Sequence, residues 1–145
     1  MALFGRKSIA DVSLSFQEGV IGLILCVAAA DGVLHPKERD RIAQVLTTHP
    51  PFEGVNAVPL MKKMLEFMKN DDIALVLSRC CAAVPAEYRR YAFAVSVDMA
   101  LLDGNLADAE SAVLGNIWGN LGIDDATARN VIETLVTKYG HITRS

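Results

Sequence analysis

Asp31, Glu38, Asp103 and Glu110 belong to one string that the chain uses twice, Asp-Gly-x-Leu-x-x-x-Glu. The first copy reads Asp31-Gly32-Val33-Leu34-His35-Pro36-Lys37-Glu38. The second reads Asp103-Gly104-Asn105-Leu106-Ala107-Asp108-Ala109-Glu110. Carboxylates recurring at a fixed spacing are the donors that hard divalent cations take, which points to Ca²⁺, Mg²⁺ or Mn²⁺. Asp98 joins them as a further candidate ligand. It lies in the apolar run from Tyr91 to Leu102, where an ionised carboxylate must be paired, hydrogen-bonded or metal-bound. From Tyr91 to Ala128 the chain carries Asp98, Asp103, Asp108, Glu110, Asp124 and Asp125 without any Lys or Arg to compensate them. Cys26 occupies the position of Asp98 in the first copy, so the two copies are not chemically symmetric.

Helical phase aims the glutamates inward. Glu38 shares a face with Ile42 and Val45, and Glu110 shares one with Val113, Leu114 and Ile117. Each carboxylate therefore begins the stripe that faces the core. A second reading needs no ligand: with His35 or Ala107 as N-cap, each Glu stands at the third helical position. There it can accept a backbone N–H and favour the helix dipole, while each Asp accepts N–H groups within its own turn. The string also shares offsets with the second half of an EF-hand loop. Val27 and Ala29, or Met99 and Leu101, stand where the first acidic ligands belong, so an EF-hand is rejected. One loop supplies too few oxygens for Ca²⁺, and a site would need both loops to converge.

Other reactive residues carry less. Cys26, Cys80 and Cys81 are odd in number, and two are adjacent, which suits neither a disulfide framework nor a CxxC metal site. They read as reduced thiols packed in helices, in a reducing compartment. His35, His49 and His141 share no ligand spacing, and no nucleophile stands beside a base. With no phosphate-binding glycine loop either, a hydrolase is the weakest reading, and a non-enzymatic role is expected.

The elements that hold these residues are helical. No strand-like alternation occurs, and Gly and Pro fall at helix boundaries. Ser15 and Glu18 have capping-box spacing and open a helix to about Ala30. Pro36 starts a second, to about Thr48. Pro59 to Lys69 forms a third, with Leu60, Met61, Met64, Leu65 and Met68 on one stripe, read as core rather than as a partner groove, opposite Lys62, Lys63, Glu66 and Lys69. Asn70 caps a fourth to about Val84, and Pro85 opens a fifth to Leu102. The sixth runs from Asp108 to Leu121, and Asp124 caps the seventh, which ends near Tyr139-Gly140. Residues 1–14 read as an N-terminal tail, and 15–145 as one all-α domain of about seven helices. Internal duplication is the simplest account of the paired strings: repeat one at about 15–69, an extra helix at 70–84, and repeat two at 85–140.

The chain has 145 residues and a formal net charge of −3, with 52% apolar and 21% charged residues. That is the composition of one folded domain, and a poor prior for nucleic acid, which requires concentrated positive charge. Arg89 and Arg90 beside Tyr88 and Tyr91 supply only a solvated helix start. The apolar run from Gly19 to Ala30 falls short of the roughly 20 residues a membrane span needs, so no direct membrane insertion is expected. The N-terminus lacks the apolar run of a signal peptide.

A duplicated apolar helix followed by Ala-Ala-Asp-Gly, five residues and a Glu resembles the TerB-like, tellurite-resistance family. The first copy, Ala28 to Glu38, matches best, while the second has Leu102 where Ala is commoner. The resemblance covers about Ser15 to Tyr139. It implies a cytoplasmic bacterial protein linked to tellurite and other chemical stress, placed beside the inner membrane through protein partners in a membrane-associated complex. It also implies divalent metal at Asp31, Glu38, Asp103 and Glu110. The alternative is an interaction scaffold or co-chaperone-type module whose acids only staple its loops; this chain has no His-Pro-Asp tripeptide of the J-domain kind.

Overall fold

The computed structural model describes residues 7–30, 32, 34–102 and 106–138. Among them are seven helices and no strand: α1 (Phe16–Ala28), α2 (Pro36–Leu46), α3 (Ala57–Asn70), α4 (Ile73–Ala82), α5 (Arg89–Ala100), α6 (Asp108–Leu121) and α7 (Asp125–Lys138).

The core is organised around α1. Ser15 Oγ accepts the Glu18 N–H at 3.0 Å and Glu18 Oε1 accepts the Ser15 N–H at 2.8 Å, a complete capping box that fixes where the helix begins. Every residue from Glu18 to Val27 is then buried. A helix apolar on all sides must be surrounded, and α1 packs against α3, α4, α5 and α6. Small residues make the approach of α4 close. A Cβ at Gly19 would stand 2.8 Å from the Cys80 carbonyl oxygen, and one at Gly22 would collide with Cys80 Sγ and Met64 Cε.

α4 lies between α1 and α6, and α7 packs on α5. Gly122 ends α6 with φ +70°, the left-handed residue that Gly tolerates. Asp124 Oδ2 accepts the Thr127 N–H at 3.3 Å and so opens α7 as expected.

Several helix ends fall two residues from the sequence reading, among them the C-termini of α2 and α5 and the start of α3, and three boundaries differ for a visible reason. Asn70 does not cap α4: its Nδ2 donates to the Glu66 carbonyl at 2.8 Å inside α3, and α4 starts after Asp72. Pro85 is extended and leads into a single 3-10 turn, Ala86–Tyr88, before α5 begins at Arg89. Tyr88 there packs on Phe16, with ring centroids 4.5 Å apart. α1 stops at Ala28, because the N–H of Ala30 turns to the Val27 carbonyl at 3.1 Å and tightens the last turn.

The segment before α1 contributes to the core. Ser8 Oγ and the Ile9 N–H both donate to the Asp71 carboxylate, at 2.8 and 3.0 Å. Ile9 is thereby pinned and fully buried.

Candidate functional site

Glu38 and Glu110 line the same cavity. It has a volume of about 170 Å³ and lies where two helix ends meet two helix starts. Ala28 of α1 and Met99 and Ala100 of α5 come from the closing turns, with Leu102 just beyond. Glu38 of α2 and Glu110 of α6 come from the opening ones, with Arg41 and Ile42 one turn further along α2. The phase argument explains the placement: Ile42 lines the cavity with Glu38, and Leu114 and Ile117, on the face of Glu110, are fully buried. Glu110 itself is only 8% exposed.

Each glutamate also staples its helix. Glu38 Oε1 accepts the His35 N–H at 3.3 Å, and Glu110 Oε1 accepts the Ala107 N–H at 2.9 Å. Both stand in the first turn, at the positive end of the helix dipole. A carboxylate offers about four lone-pair sites, more than one such bond uses. The closing turns of α1 and α5 bring two negative helix-dipole ends to the cavity, opposed there by the positive ends of α2 and α6, so the charge that favours a cation is that of the two carboxylates. Arg41 is a positive charge already on the wall. The space exceeds what one water needs by about tenfold, enough for a hydrated ion.

The donor set among the described residues falls short of a complete metal site. No group of three or more His, Cys, Asp or Glu side chains is disposed to hold a metal there. Glu38 and Glu110 alone do not satisfy the six to eight oxygens of Ca²⁺. Asp31 and Asp103, expected as their companions, lie outside the described residues. Asp98 stands elsewhere: it does not line the cavity, and its Oδ1 accepts from Lys138 Nζ of α7 at 3.3 Å. The compensating charge, missing from Tyr91 to Ala128, comes from beyond that stretch. Asp98 of α5 is therefore ion-paired with Lys138 of α7.

Sequence reasoning missed two charged features. Arg41 lies one turn after Glu38, so helical spacing alone would have placed it at the cavity. Glu18 forms an ion pair with Lys63 of α3 at 2.6 Å, and nothing local in the sequence signals it. Burial opposes ionisation of Glu18. The hydrogen bond and charge of Lys63, with the Ser15 donors, outweigh it and hold the carboxyl below its ordinary value.

The cysteines match their expected state. All three are free and buried. Burial pushes the thiols of Cys26 and Cys81 up to about 12, with Cys81 adding to the effect at Cys26, and raises Cys80 further. Such thiols are inert rather than nucleophilic.

The family model described as tellurite resistance protein TerB matches residues 17–133. The chain belongs to the TerB family. The match spans from the first turn of α1 into α7, so it contains the whole cavity lined by Glu38 and Glu110. No curated protein and no solved structure matches the chain. Among the described residues no helix is long and apolar enough to cross a membrane.

Proposed function

We propose that this TerB chain is a non-catalytic stress-response module that takes a divalent cation between two copies of one helical unit. The observation that carries the reading is the shared cavity. Glu38 and Glu110 hold the same position in the two Asp-Gly-x-Leu-x-x-x-Glu strings, come from different helices, and line one space. In this reading the two units are duplicates, and Asp31 and Asp103 complete the ligand set from the loops preceding α2 and α6. Oxygen donors alone favour Ca²⁺, Mg²⁺ or Mn²⁺. The module works in the cytoplasm, beside the inner membrane through protein partners.

Isothermal calorimetry with each of the three ions tests this on the full chain. Saturable binding to wild type that is lost in Asp31→Asn/Asp103→Asn supports the reading. Absence of heat at millimolar ion, or identical binding by that variant, removes it.

The capping bonds of Glu38 and Glu110 favour a second reading, in which the acids only fix loop geometry in an interaction scaffold. It requires that both glutamates affect stability equally with and without chelator.

A further inference from the structure

The apolar stripe of α3 divides. Met61 and Met64 are buried in the core, whereas Leu65 and Met68 are only partly covered. Together with Ile73 at the start of α4, which is 46% exposed, they line a groove of about 950 Å³ bounded also by the end of α1, the residues that follow it, Arg39 of α2 and Val113 of α6. Its charged lining among the described residues is Arg39, Lys62 and Lys69 against Glu66. That balance is cationic on a chain whose net charge is −3. On the same wall Arg39 Nε is buried and has no hydrogen-bond partner among the described residues. A buried donor without a partner is costly, and native structures hold few of them.

We propose that this groove docks an amphipathic helix of a partner protein whose apolar stripe is flanked by carboxylates. Apolar side chains would cover Leu65, Met68 and Ile73, while the carboxylates meet Lys62 and Lys69 at the rim. This is helix-in-groove recognition with charge fixing the orientation. The groove lies at the upper end of the volumes that pockets reach, which suits several side chains at once. A free anion would leave the apolar floor bare. A flat anionic membrane would touch the lysines at the rim without reaching the floor. No lining residue of the groove is shared with the Glu38–Glu110 cavity, and the variants at Lys62, Lys69 and Ile73 leave the proposed cation ligands unchanged.

The test uses the full chain and three probes: a fluorescein-labelled Leu/Glu amphipathic peptide of about four helical turns, its Leu/Lys counterpart, and phosphatidylglycerol vesicles. By fluorescence anisotropy the acidic peptide is expected to bind at least about tenfold more tightly than the basic one, and less tightly as salt rises. Lys62→Glu/Lys69→Glu is expected to lower that affinity by about tenfold or more, with an unchanged helical circular dichroism spectrum. Should that variant fail to fold, Ile73→Asn carries the test, because it alters an exposed position on the floor. Equal binding of the two peptides, unchanged affinity in the variant that folds, or lysine-dependent capture of vesicles in place of the peptide would overturn the proposal.

Discussion

Glu38 of α2 and Glu110 of α6 occupy the third position of their helices and face one cavity of about 170 Å³. Each is also tied to the backbone N–H of its own N-cap residue. The same carboxylates therefore set the entry angles of two helices and put negative charge between them. Removing the more buried one should cost stability before any ligand is considered. Glu110→Ala is expected to lower unfolding stability by about 1 kcal/mol, the scale of a lost cap. Glu110→Gln, which can still accept the Ala107 N–H, should cost less. Urea denaturation of both variants in the presence of chelator checks this.

The contact between α1 and α4 depends on absent side chains. Gly19→Ala would place a methyl group against the Cys80 carbonyl, which cannot rotate away. Overpacking of this kind costs about 1–3 kcal/mol. Gly115→Ala in α6 meets nothing within 4 Å, and should stabilise by up to about 1 kcal/mol through helix propensity. Thermal melts of the two variants should move in opposite directions.

The pair of Glu18 and Lys63 predicts an acid-dependent loss of stability. The folded carboxyl is held below its ordinary value of 4.5, so the folded state binds its proton less readily than the unfolded state does. The resulting stability is fully present above that value and is lost as pH falls through the folded one. Lys63→Met removes the ion pair and should flatten this part of the stability–pH profile. Lys63 is 42% exposed along its side chain, so the effect should also weaken in high salt.

The buried thiols should be silent to alkylation. Cys26 and Cys81, raised to about 12 by burial, carry almost no thiolate near neutral pH. Iodoacetamide is expected to modify none of the three cysteines in the folded chain and all of them in denaturant, as read by intact mass. Rapid modification without denaturant would contradict the packing of α1 against α4.

What the sequence made legible was local. Ser15 with Glu18, Pro36, Gly122 and Asp124 each mark a helix end through bonds or dihedrals set within a few residues, and all four stand where the spacing places them. The phase of Glu38 and Glu110 was legible for the same reason, because helical periodicity determines which residues share a face. Tertiary partners were not. Lys138 pairs with Asp98 from α7, Lys63 pairs with Glu18 from α3, and Asp71 reaches back to hold Ile9. No periodicity encodes such distant pairings. Asn70 misled because its side chain had two equivalent local uses, a cap for α4 or a bond back to Glu66, and the second prevails.

The most direct test of cation binding between the helical units is the thermal unfolding of wild type and Glu38→Gln/Glu110→Gln across Ca²⁺, Mg²⁺ and Mn²⁺. An ion that binds only the folded chain stabilises it by about 2.7 kcal/mol at a hundredfold excess over its Kd. The expected result is a Tm that climbs with the concentration of at least one ion in wild type and stays flat in the double variant. A wild-type Tm indifferent to all three ions at millimolar concentration, or an equal rise in both proteins, would contradict a cation held by Glu38 and Glu110.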